Sequence, residues 1–188
     1  MIDKGIALEN TEEYLYKATL NSNIDYVKQN YKLLLKKGYK LAEYEYLHTM
    51  YKAIEKNNTA LLVFLTKQPE WDNSENQSDI FQRAYIALKE DVHIEPSALK
   101  TLIDNGLETN SWRVEQYVFE FAKRCYTSYD QEKSKAAFKK LASYGVNLNP
   151  AHPNGETILH AAARYAPDSI IIFFKELGVD SSLKNGKG

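Results

Sequence analysis

The stretch Gly155-Glu156-Thr157-Ile158-Leu159-His160-Ala161-Ala162-Ala163, followed by Ile170-Ile171-Ile172-Phe173-Phe174 and Gly178-Val179-Asp180, decides how the chain is read. A glycine opens a turn, a threonine precedes a short run of helix formers, and a second apolar run ends at a glycine. Glycine tolerates the left-handed backbone that stops a helix, so Gly178 marks a helix end. Working outward, an apolar run closed by glycine recurs at Leu141-Ala142-Ser143-Tyr144-Gly145-Val146. It recurs again at Leu102-Ile103-Asp104-Asn105-Gly106-Leu107 and at Leu33-Leu34-Leu35-Lys36-Lys37-Gly38-Tyr39. Gly145 and Gly178 are 33 residues apart, Gly106 and Gly145 are 39 apart, and Gly38 and Gly106 are 68 apart. The longest interval fits two units, with Pro69 near its midpoint placed to end the helix between them.

This rhythm predicts one helix pair per interval: 12–20 with 24–37, 43–56 with 59–67, 79–89 with 96–104, 114–125 with 130–143, and 157–165 with 168–177. Apolar residues recur at helical spacing in Leu99, Leu102 and Ile103, in Val114, Tyr117, Val118 and Phe121, and in Ala137, Phe138 and Leu141. Strand-like alternation is scarce, and the fold class is read as all-α. Asn57-Asn58 breaks the second pair, Pro96 suits a first helical turn, and Asp130 and Asp168 suit caps. The polar run from Glu70 to Ser78 reads as an extended loop inside one domain.

Residues 149–182 resemble a single ankyrin repeat, with glycine, threonine, leucine, histidine, alanines and the closing Gly-x-Asp in the family's order. Ile158 stands where the family has proline, and Pro167 follows the turn between helices. Earlier units are similar in helix rhythm and terminal glycine, without Thr-x-Leu-His. The stretch Ala18-Thr19-Leu20-Asn21-Ser22-Asn23-Ile24-Asp25-Tyr26-Val27 is similar to the family's connection between helices. The resemblance implies an α-solenoid of about five stacked ankyrin-like helix pairs with short finger loops. It implies one array over residues 1–188, with repeats near 9–41, 42–72, 73–110, 111–149 and 150–188. Such a repeat cannot bury its faces without neighbours, so Leu159 is expected in the core between repeats. The family's histidine and threonine, here His160 and Thr157, are expected to be structural, bonding across the turn and between repeats.

Composition narrows the function. The formal net charge is −1, which offers no global basic face for nucleic acid. Ile170 to Phe174 is far shorter than a membrane span, and the N-terminus lacks a signal-like apolar run. A cytoplasmic chain is therefore expected, with no membrane partner. The one cysteine, Cys125, excludes an internal disulfide framework and reads as a small buried side chain. His48, His93 and His152 have no metal-ligand spacing around them, and no nucleophile, zinc or phosphate-loop motif occurs. No catalytic residue, metal or cofactor is assigned. Frequent Asn, Lys, Ile and Tyr point to a low-GC organism.

Binding is the remaining reading. The resemblance implies that partners dock on the concave surface of finger tips and inner helices. The residues it places there are Trp71, Glu75 and Lys89, then Trp112, Arg113, Lys123 and Arg124, and finally Asn154, Glu156, Arg164 and Tyr165. Trp, Tyr and Arg dominate interface energetics. Each tryptophan is either an exposed anchor or a plug beneath its finger. The expected function is a monomeric, non-enzymatic protein-interaction module, for instance a bacterial immunity protein that neutralises a toxin. The alternatives are a secreted effector, or the binding part of a larger enzyme, since the sequence stops where a sixth finger would begin.

Overall fold

The computed structural model describes residues 24–36, 43–72, 74–150 and 155–186, with the side chains of residues 34, 35, 74 and 75 outside the described set. The described residues are all-helical, in agreement with the apolar spacing. They form α1 (Ile24–Lys36), α2 (Glu43–Glu55), α3 (Thr59–Leu65), α4 (Ser74–Glu90), α5 (Ala98–Asp104), α6 (Trp112–Thr127), α7 (Gln131–Ser143), α8 (Ile158–Tyr165) and α9 (Asp168–Glu176). A 3₁₀ turn, Pro69–Asp72, lies between α3 and α4. The helix expected over 12–20 and the stop expected at Gly38 lie outside the described residues.

Local side-chain chemistry sets the helix ends. Asn57 takes a left-handed φ of 47°, and Asn58 Oδ1 then accepts the Leu61 amide at 3.1 Å to start α3. The start of α5 differs from expectation. Ser97, whose hydroxyl accepts the Lys100 amide at 3.1 Å, is the cap, so Pro96 lies outside the helix rather than in its first turn. Asp130 occupies the cap position of α7, but its side chain makes no capping bond and lies 3.8 Å from Lys89 Nζ. Pro167 caps α9, leaving Asp168 in the first turn, where its charge faces the positive end of the helix dipole.

Residues 70–78 are the largest departure. Of these, 70–72 belong to the 3₁₀ turn and 74–78 to the first turn of α4, instead of an extended loop. Composition misleads here because Gln77 and Ser78, though polar, are buried. Gln77 Nε2 donates to the Trp71 carbonyl at 3.0 Å, which satisfies groups that sequence polarity assigns to solvent.

The chain divides into two compact units, one running to Ala84 with Pro96–Gly106 added, the other made of Tyr85–Glu95 and the residues from Leu107 onward. In the first unit α3 packs on α1, α2 and α5, and α2 also meets α5. Its core includes Tyr31, Tyr46, Met50, Leu61, Leu62 and Trp71. Two buried phenols find acceptors: Tyr46 donates to the Leu65 carbonyl at 3.0 Å and Tyr31 to Glu70 Oε2 at 2.8 Å. In the second unit α6 packs on α7 and α8, and α8 on α9. Phe121, Phe138, Leu141, Ala162, Ile170 and Phe174 fill its core, with the Tyr85 ring stacked on Phe121 at 3.7 Å.

Two helix ends of the second unit match in geometry. At the end of α7, Gly145 donates to the Ala142 carbonyl at 3.1 Å and Val146 to that of Leu141 at 3.2 Å. At the end of α9, Gly178 donates to Lys175 at 3.0 Å and Val179 to Phe174 at 3.1 Å. Both are Schellman stops that need a left-handed residue, and Gly145 and Gly178 have φ of 79° and 85°. The following turns match too. Asn147 Oδ1 accepts the Asn149 amide at 2.9 Å, and Asp180 Oδ1 accepts the Ser182 amide at 2.7 Å. The two turns are also joined to each other: the Asp180 amide donates to Asn149 Oδ1 at 2.7 Å. Gly106 also stops its helix with positive φ, as the sequence rhythm predicts.

Candidate partner-binding surface

Helix α6 carries four of the eleven candidate residues, Trp112, Arg113, Lys123 and Arg124. Ser111 caps it, its hydroxyl accepting the Val114 amide at 3.4 Å. Val114, Val118, Phe121, Ala122 and Cys125 form its buried face, and Phe119 is buried at the edge of the other side. At about 100° per residue the opposite face presents Trp112, Arg113, Gln116, Glu120 and Arg124, all exposed. Trp112 is 63 % exposed, and the Arg113 guanidinium lies 5.8 Å from its ring centre. Arg124 lies 5.8 Å from the ring centre of Phe121. Lys123 is engaged: its ammonium pairs with Glu120 at 2.8 Å and lies 5.2 Å from the Phe119 ring.

Helix α8 adds a second group. Thr157 and His160 form a reciprocal capping box, with the Thr157 amide donating to His160 Nδ1 and the His160 amide to Thr157 Oγ1. For Nδ1 to accept, the ring proton must sit on Nε2. The bond expected across the turn is thus present, while among the described residues neither side chain makes the bond expected between repeats. Arg164 pairs with Glu156 at 2.9 Å and lies 5.6 Å from the ring of Tyr165, which is 71 % exposed. Burial raises the Tyr126 phenol above its ordinary pKa, and the carboxylates of Glu120 and Glu156 add to the effect.

Other candidates fall elsewhere. Trp71 is only 6 % exposed and belongs to the core of the first unit, so it is not an exposed anchor. Lys89 pairs with Asp130 in the second unit. The Glu75 side chain and Asn154 lie outside the described residues. Sequence reading missed Tyr129, which is fully exposed between α6 and α7. In a chain with 14 tyrosines, type says little about placement, though its position in Ser128-Tyr129-Asp130 was a turn signal.

Leu159 is half-buried, a correction to its expected place in a closed core. It lines an open groove of about 210 Å³ with Ile171 and Leu183, while Ile158, Ala161 and Ala162 take the buried face of α8. Cys125 is buried as expected, and burial pushes its thiol up to about 12. Among the described residues no three His, Cys, Asp or Glu side chains group to hold a metal ion, and no helix is long and apolar enough to cross a membrane. Comparison with protein-family models, curated proteins and solved structures finds no match.

Proposed function

We propose that this chain is a protein-interaction module built as a solenoid of ankyrin-like helix pairs, with the exposed faces of α6 and α8 receiving a protein partner. The observation that carries the reading is the pair of matching helix stops and turns at Gly145 and Gly178, joined through Asn149 and Asp180. Repeated units sharing one neighbour contact are how solenoids extend a recognition surface. Trp112, Tyr165 and three arginines on this surface are the residue types that anchor interfaces. Binding without catalysis is the proposed role, and the signature histidine serves as a helix cap.

Affinity capture from the native organism's lysate, read by mass spectrometry, tests this. Wild type is expected to enrich one protein that a Trp112→Ala/Tyr165→Ala variant loses while unfolding at the same temperature. Capture of nothing specific, or equal capture by both, would contradict the assignment.

A further inference from the structure

The four arginines are unevenly used. The sequence holds 24 Lys and Arg, of which only Arg83, Arg113, Arg124 and Arg164 are arginine. Each lies against an aromatic ring, Arg83 on Tyr51 at 4.4 Å and the others as described above. Arg83 and Arg164 also face carboxylates, those of Glu55 and Glu156. Arg113 and Arg124 are exposed and face no carboxylate among the described residues. They are eleven residues apart on α6, about three turns, so they leave the same face of the helix about 16 Å apart. Between them Glu120 is already neutralised by Lys123. The face therefore carries two uncompensated guanidiniums, one at each end, with Trp112 beside the first.

We infer that this face of α6 docks an acidic helical segment of a partner protein, Arg113 and Arg124 each taking a carboxylate and Trp112 an apolar side chain. The inference rests on the interaction-module reading above. Guanidinium is the planar donor that matches a carboxylate in a bidentate pair, and a ring beneath it restrains its orientation. A helix is the matching occupant because its own residues eleven apart reproduce the same spacing on one side. Nucleic acid fits less well. It would need a continuous run of cations, whereas this face offers two guanidiniums about 16 Å apart with an already paired Glu120 and Lys123 between them.

The test uses the full chain and three probes: an 18-residue alanine-based helical peptide with glutamates eleven apart and a leucine beside the first, its glutamine counterpart, and a dT oligonucleotide. Fluorescence anisotropy is measured against wild type, Arg113→Gln/Arg124→Gln and Arg113→Lys/Arg124→Lys. Wild type is expected to bind the glutamate peptide and to lose about tenfold or more in affinity as the glutamine variant. The lysine variant should recover only part, and the glutamine peptide should not bind. Failure of the glutamate peptide to bind, equal binding by wild type and the glutamine variant, or preference for the oligonucleotide would overturn the acidic-helix inference. Lysate capture separates the two proposals. A partner that survives the arginine substitutions but not Trp112→Ala/Tyr165→Ala leaves the module standing and removes its acidic docking.

Discussion

Trp71 and Trp112, the two tryptophans of this chain, occupy opposite surroundings, and the regions around them differ in why. Trp71 lies in a 3₁₀ turn beginning at Pro69, and Gln77 of the next helix bonds its carbonyl. A Cβ placed on Gly106 would lie 3.9 Å from its indole nitrogen, so the ring packs beneath a helix stop. Trp112 is the first residue of a long amphipathic helix. The Ser111 cap fixes where that helix begins, and the buried Val114, two residues on, forces Trp112 to the other side. One ring is enclosed by tertiary packing; the other is exposed by helical phase.

The comparison makes graded predictions. Trp71→Ala should cost about 3–5 kcal/mol of stability, measured by chemical denaturation, because it empties an enclosed site. A loss below about 1 kcal/mol would place the ring at the surface. Next comes Gly106→Ala, expected to cost about 1–2 kcal/mol through its left-handed backbone. Gly178→Ala should cost a similar amount with nothing within 4 Å to clash, so a much larger loss at Gly106 would locate the added strain at Trp71. Trp112→Ala should change stability by no more than about 0.5 kcal/mol while weakening partner capture.

Alkali tests the two cores together. Burial raises the phenols of Tyr31 and Tyr46 in the first unit, and of Tyr85 with the Cys125 thiol in the second. Each group stays protonated in the folded chain when its unfolded counterpart ionises. The stabilisation is complete below the unfolded values, near 9.0 for the thiol and 10.0 for the phenols, and declines as pH rises past them. Thermal unfolding should therefore fall steeply above about pH 10. A melting temperature flat to pH 12 would contradict the burial of these groups.

Much of the fold was legible because helices and their stops leave local marks. Residue spacing located α2, α3, α6, α7, α8 and α9 to within a few residues, and the glycines at 106, 145 and 178 do stop helices. The errors came from the environment rather than the pattern. Gln77 and Ser78 are buried with partners that local composition cannot display, so the start of α4 read as loop. Leu159 carries the family-like signature, yet helical phase gives the closed core to its neighbours. At the candidate surface, Arg164 and Glu156 were both singled out, but their pairing was not visible in two positions eight residues apart. For the tryptophans, residue type offered anchor or plug equally, and only packing distinguishes them.

The most direct measurement is acrylamide quenching of tryptophan fluorescence in two single-tryptophan variants, Trp112→Phe and Trp71→Phe. The first should emit at short wavelength and resist quenching until the protein unfolds. The second should emit at long wavelength, quench readily in the native state, and become shielded when the captured partner is added. Equal quenching of the two variants, or a Trp112 signal that the partner leaves unchanged, would contradict the division between a structural and a recognition tryptophan.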